Sequence, residues 1–484
     1  MRIFIPIISS SRSPGSFLFL FLLLLDFHSQ GSLLLPDNSK DSTGFLVIHS
    51  IKIIGNLHTK PSIILRELAF HDSDTVGRTG FQHMLKAGRE NIFNTKLFNF
   101  VTIDTVPLGG SLSKMDIRIQ VIERWYVWPW PFFEISDRNF NAWLETTDFG
   151  RLTYGIDLTI NNVMGLNQTL KFPMHYGFNQ EFGFSYQIPY INYKKTVGIV
   201  FGADYNWNHE VIIETVDNKP VYYRNPGSYP RQDFNAFTQL LLRPTFYAYH
   251  TFSVSFNSWM FSDSLMRVPG YTAGTSNHLD YFSLYYQYKN DHRDFQFYPL
   301  KGTYFDIEMD QNGLFSPTVN EFYLKSDFRK YFQIYNRWYF ASGLTGKLTL
   351  TPQSPYFLQK GLGYGRDFVR GYEYYVIDGK DFILWKNNFK FALIPQREFN
   401  IDFVHTPKFS RVPYALYLNV FCDMGYVYSE IFPYDQSNTL KNSLLVGYGV
   451  GLDLATYYDI VIRLEASMNA QGSPGLYLHF TAPI

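Results

Sequence analysis

The sequence predicts a mainly β protein: one small αβ domain, then about sixteen antiparallel strands closing into a transmembrane barrel. Three observations carry this. From about residue 130 onward, apolar residues alternate with polar or small ones in short segments, the pattern of a strand with two different faces. Aromatic residues make up 19% of the chain against 17% charged, and 42 Lys+Arg balance 42 Asp+Glu, so the wall is rich in rings and poor in charge. After residue 31 no apolar run approaches the ~18 residues that a membrane helix needs. A disordered chain and a helical membrane bundle are therefore excluded, and zero net charge gives no sign of a nucleic-acid partner. The single cysteine, Cys422, excludes an internal disulfide and any cysteine-based metal cluster.

The first element is an export signal over residues 1–31. Arg2 and Arg12 supply a basic start, Phe17–Leu25 a short apolar stretch, and Ser29 and Gly31 the small residues before a cleavage point. No cysteine lies near that point, which excludes a lipoprotein anchor.

Residues 45–125 form the αβ domain. Leu46, Ile48, Ile51 and Ile53 mark a strand over Phe45–Ile54, stopped by Gly55-Asn56. Pro61 opens a helix carrying Ile63, Ile64 and Leu68. Arg78–Asn91 reads as a second helix, and Val101–Val106 and Met115–Ile122 as strands, giving the order strand, helix, helix, strand, strand. Ile53-Ile54-Gly55-Asn56 with Thr59 and Ile63–Leu68, followed by Ile92–Phe100, resembles a POTRA domain, present here in one copy.

The barrel occupies residues 130–484. Its strands are expected over Phe132–Glu145, Leu152–Asn161, Gln168–Phe178, Glu181–Pro189, Thr196–Trp207, Phe234–Tyr249, Thr251–Phe261 and Tyr281–Lys289. The second half follows over Thr303–Gln311, Glu321–Gln333, Arg337–Thr351, Phe382–Ile394, Tyr414–Tyr428, Ser443–Thr456, Asp459–Met468 and Gly475–Thr481. The tight links at Asn179-Gln180 and Tyr457-Tyr458 suit periplasmic turns, and the long links Asn208–Asp233 and Pro352–Asp381 the extracellular side. Parity puts Leu418, Val420, Cys422 and Met424 on a lipid face and Asn419, Phe421, Asp423 and Gly425 on the other. A soluble sandwich would alternate in the same way; the signal, the aromatic load and the even strand number favour the membrane.

Val369-Arg370-Gly371-Tyr372, in the Pro352–Asp381 link, resembles the VRGF/Y loop motif of the outer-membrane assembly factor superfamily, the family of BamA and TamA. Tyr298–Gly302, Phe421–Gly425 and Gly447–Leu452 resemble further motifs of that family. Ser473–Phe480, with Gly475, Leu478 and Phe480 at the key positions, resembles its C-terminal β-signal, although Thr481–Ile484 follow. The resemblance implies that Arg370 enters the lumen and pairs with Asp423. The preceding strand offers Asn388 where the family has an acidic residue.

Other chemistry is not legible. The twelve histidines show no ligand spacing, and Gly361–Gly365 and Gly447–Gly451 join no strand to a helix, so neither cradles phosphate. Trp125–Pro131 reads as an aromatic girdle at the periplasmic rim, or else a ligand-stacking site. The expectation is a non-enzymatic outer-membrane protein with no cofactor and no metal. By resemblance it inserts β-barrel proteins or translocates a protein substrate. Its partners would be membrane lipid, an unfolded client and accessory assembly proteins, and its weak first-to-last strand seam would open. The alternative is a passive channel or structural barrel whose POTRA-like domain binds a partner.

Overall fold

The computed structural model describes residues 44–108, 111–135, 149–225, 227–269, 271–272, 276–351, 355–404, 406–429 and 437–480. The export signal, the end of the first expected barrel strand and the four terminal residues lie outside them. No helix among the described residues is long and apolar enough to cross a membrane.

The αβ domain contains β1 (Phe45–Ile54), α1 (Pro61–Leu65), β2 (Thr75–Gly77), α2 (Phe81–Asn94), β3 (Phe98–Leu108) and β4 (Ser111–Glu123). Its sheet runs β2-β1-β4-β3, with β1 parallel to β4. Ile48, Ile63, Ile64, Leu85, Ile92, Ile117 and Ile119 make its core. The short β2 was not anticipated; it adds an edge to β1 and is too brief to show alternation. Helix α2 starts three residues later than expected because Gly80 sits at φ 89° and cannot be a helical residue.

A second sheet holds sixteen strands, all antiparallel to their neighbours. They are β5 (Val127–Ile135), β6 (Leu152–Val163), β7 (Gln168–Gly177), β8 (Gln180–Ile188), β9 (Val197–Asn208), β12 (Arg231–Leu242), β13 (Ala248–Phe261) and β14 (His278–Asp291). The order continues with β15 (Gly302–Leu314), β16 (Glu321–Tyr335), β17 (Trp338–Thr349), β18 (Asp381–Asn400), β19 (Arg411–Tyr428), β20 (Leu444–Ala455), β21 (Val461–Asn469) and β22 (Pro474–His479). Between β9 and β12 lies a separate hairpin, β10 (Glu210–Val216) and β11 (Lys219–Arg224), inside what the sequence suggested was one long link. Asp217 and Asn218 both have positive φ, the turn chemistry that favours such a hairpin.

Two expectations need correction. The sixth barrel strand does not run to Tyr249: it ends at Leu242, and Arg243–Tyr247 turn before β13. Pro244 has no N–H to continue a ladder, and the aromatic pair Phe246-Tyr247 only imitates strand composition. The Asn179 turn lies at the end of the barrel away from the αβ domain, beside His209, not at the αβ-domain end. Counting passes explains this. The β6–β7 turn touches the αβ domain, with Lys60 N donating to Gly165 O, so the next turn must sit opposite.

The αβ domain is bonded to its end of the barrel. Arg243 donates to both oxygens of buried Glu67 at 2.7 and 2.8 Å. Arg124 grips Asp459 bidentately at 2.9 Å. Asn162 Nδ2 donates to Thr59, and Asn99 Nδ2 to the Lys408 carbonyl. Trp128 stacks on Trp130 and meets Tyr458 edge-on at the same end.

Candidate functional site

The wall strands β18 to β21 alternate strictly. On β19, residues 415, 417, 419, 421, 423, 425 and 427 are buried while Leu418 and Val420 are exposed. The exposed set continues through Leu444, Val450, Leu464, Leu476, Leu478 and Phe480, an apolar outer face over four adjacent strands. Against the inner face lies the 355–380 segment. Val369 and Tyr372 pack with Leu362, Ile377, Leu384, Val427 and Leu445.

That packing delivers Arg370 to the wall with no exposed surface. Its Nε and Nη2 donate to the two Asp423 oxygens at 2.7 and 2.6 Å. Nη1 donates to Asn388 Oδ1 at 2.8 Å and to Glu465 Oε1 at 3.3 Å. The guanidinium lies 3.9 Å from the Phe421 ring centre, a cation–π contact in a dry setting. Gly371 follows at φ 92°, a conformation that favours glycine, and its carbonyl accepts from Asn469 Nδ2 at 3.0 Å. Gly447 leaves the space the segment needs: a Cβ there would overlap the Arg370 carbonyl oxygen.

A second pair extends the network. Arg463 donates to both Asp453 oxygens at 2.5 and 2.6 Å and to Glu465 Oε1 at 3.4 Å. Asp453 also accepts from Asn419 Nδ2 at 2.8 Å and from Tyr298 OH at 2.7 Å. Glu465 thus joins the two arginines. Asn388 fills its position as a neutral acceptor, and the second carboxylate near Arg370 comes from Glu465, three strands away along the wall. Sequence reasoning did not reach Glu465, Asp453 and Arg463 as site residues. Their signal was present as opposite charges on inward parity, since Asp453 faces Arg463 across the β20–β21 ladder.

The C-terminal motif lies on β22, where Gly475 is half-buried on the inner side and Leu478 and Phe480 point outward at 56% and 65% exposure. Strand β22 pairs with β21 over six residues. Among the described residues no ladder joins β22 to β5. Strand β5 carries Pro129 and Pro131, and β22 begins with Pro474, so each strand lacks some of its ladder donors.

The Omp85 superfamily domain model matches residues 162–456, from the end of β6 into the turn after β20. Among solved structures, BamA from Haemophilus ducreyi lacking POTRA domains 1–3 is similar at a TM-score of 0.50 and 13% identity, covering 90% of this chain and 83% of that one. CdiB from Escherichia coli matches at 0.48 and 12%, covering 97% and 98%, and CdiB from Acinetobacter baumannii at 0.46 and 15%, covering 90% and 74%. No curated relative matches. A family match over more than half of the chain, on a sixteen-stranded antiparallel sheet preceded by a small αβ domain, makes this protein a member of the Omp85 superfamily.

Proposed function

We propose that this protein inserts β-barrel proteins into the outer membrane or carries a protein substrate across it, using the free edge between β5 and β22. The observation that carries this reading is that, among the described residues, fifteen ladders join the sixteen strands in sequence while none joins β22 to β5. A free edge offers its N–H and C=O groups to an incoming strand, which is β-augmentation. Each net ladder bond contributes only about 0.5–1.5 kcal/mol, so a short seam with three prolines is easily opened. The role needs no catalytic step and no cofactor.

The exposed apolar band supports a lipid-facing wall, and the αβ domain, read as one POTRA domain over residues 45–125, sits on the periplasmic side. Its sheet edge would hold an extended client in the same manner. Accessory proteins would dock on that domain. The passive-channel alternative has less support, because the Arg370 segment and the Tyr298 turn lie against the inner wall where an open pore would run.

A cysteine pair bridging β5 and β22, placed where Cα atoms come within about 7 Å, tests the mechanism. The oxidised form should stay folded and heat-modifiable yet lose assembly or secretion, and regain it on reduction. Full activity of the verified disulfide form would reject edge templating.

A further inference from the structure

Beside the arginine network lies a second cluster that the proposed function does not use. Glu373 follows the Val369–Tyr372 motif by one residue, Glu465 faces inward from β21, and His479 faces inward from β22. One ligand atom from each lies within 4.8 Å of the others. His479 Nε2 is 3.2 Å from Glu465 Oε2 and 3.8 Å from Glu373 Oε1.

The two carboxylates divide their oxygens in the same way. Glu465 Oε1 accepts from Arg370 and Arg463, while buried Oε2 has only His479 Nε2 near it, at 3.2 Å and outside good hydrogen-bond geometry. Glu373 Oε2 accepts from the Gly371 N–H at 2.8 Å, while Oε1 is buried without a hydrogen bond. His479 Nε2 faces both of these oxygens and no other polar partner in good geometry. Glu465 has no exposed surface at all, so its second oxygen is aimed into the cluster, where His479 Nε2 lies nearest. Arg370 and Arg463 are each already matched bidentately by an aspartate, which leaves these carboxylates with charge to share.

We propose that Glu373, Glu465 and His479 form a binding site for a divalent transition-metal ion, with Zn2+ as the fitting ion, and that the ion ties β22 to the Arg370 segment. Tetrahedral zinc holds N and O ligands at about 2.0–2.2 Å, which sets ligand atoms roughly 3.3–3.5 Å apart. The two separations from His479 Nε2, 3.2 and 3.8 Å, bracket that spacing. One imidazole with two carboxylates suits zinc, whereas magnesium and calcium prefer oxygen alone. Three protein ligands leave a fourth position for water. The rings of Phe368 and Tyr477 flank the His479 imidazole, at 5.9 and 6.4 Å between centres, and hold its orientation. The consequence is mechanical: an ion here staples the edge strand β22 to the loop and reinforces its pairing with β21.

The test uses the full chain folded in detergent micelles, in a Cys422→Ser background that removes the lone thiol as a zinc ligand. Equilibrium dialysis against Zn2+ should give one ion per chain. His479→Ala and Glu373→Gln should each weaken binding by at least about tenfold, with folding checked by heat-modifiability. Zn2+ should also raise the heat-modification temperature of the parent, and Mg2+ should do neither. If His479→Ala does not fold, His479→Gln and Glu373→Gln carry the comparison. Absence of stoichiometric zinc, unchanged affinity in the folded variants, equal competition by Mg2+, or a heat-modification temperature that responds to pH but not to zinc would each overturn the site.

Discussion

The Arg370 guanidinium and the Asp423 carboxylate form a bidentate pair at 2.7 and 2.6 Å, with neither side chain exposed. They lie 53 residues apart in the chain and meet only because the segment between β17 and β18 folds back against the wall. Removing one member leaves the other charge buried without its partner, which costs about 3–5 kcal/mol. Arg370→Met and Asp423→Leu should each lower the urea midpoint of the folded barrel. The double variant should be less destabilised than the sum of the two, because it leaves no orphan charge from this pair. Strict additivity in a double-mutant cycle would show that the pair is not coupled.

Cys422 shares its parity with exposed Leu418 and Val420, and its inward neighbours Phe421 and Asp423 are buried. Its thiol therefore faces the same medium as the apolar outer band. In intact outer membranes a charged maleimide should label it at least ten times more slowly than in the denatured chain, since the thiolate forms poorly away from water. Equal rates would place the β19 register one residue off, because a slip of one exchanges the two faces.

Glu67 has no exposed side-chain surface and takes both of its strong bonds from Arg243 of the barrel. Arg66 adds a weaker contact at 3.2 Å. Arg243→Ala strands a buried carboxylate at the junction, whereas Arg243→Ala with Glu67→Leu does not. The single variant should release the αβ domain to limited proteolysis near residues 124–127, several-fold faster than wild type, while the barrel stays heat-modifiable. The double variant should recover part of the resistance. A single variant as resistant as wild type would mean that Arg124–Asp459 and the Thr59 contacts suffice alone.

The number of barrel strands was legible because most alternate over enough residues for their period to show; β18 to β21, where glycine and charge oppose aliphatics, are the clearest, whereas β5 begins at Val127, five residues before the expected Phe132. Strand β5 was harder, since Pro129 and Pro131 argue locally against a strand and are tolerated only at an edge. The side on which a turn lies was not local information: Asn179 is opposite the αβ domain because of the number of passes before it. The Arg370 site was half legible. The family resemblance, with inward parity, pointed to Asp423, but Glu465 reaches Arg370 through the stagger of three strands, and stagger leaves no mark on any one segment. The same holds for His479, which approaches Glu373 only when the chain's last strand meets a loop about a hundred residues earlier.

Gly447 separates two effects of opposite sign. As a residue of β20 it weakens the strand, and valine in its place should favour the extended backbone. As part of the wall it admits the Arg370 carbonyl, which a Cβ at that position would overlap, while the Val369 side chain lies close by. The backbone of a paired strand cannot retreat without breaking its bonds to β19 and β21, so the loop must move instead. Gly447→Val should therefore fold and remain heat-modifiable, yet lose the seat of Arg370. Trypsin should then cut after Arg366 or Arg370 at least about tenfold faster than in wild type, since cleavage follows the population of the open form. Conductance in planar bilayers should rise as the segment leaves the lumen. If Gly447→Val is as resistant to trypsin as wild type and its conductance is unchanged, the loop is not held by the wall at this point, and the glycine has another reason to be there.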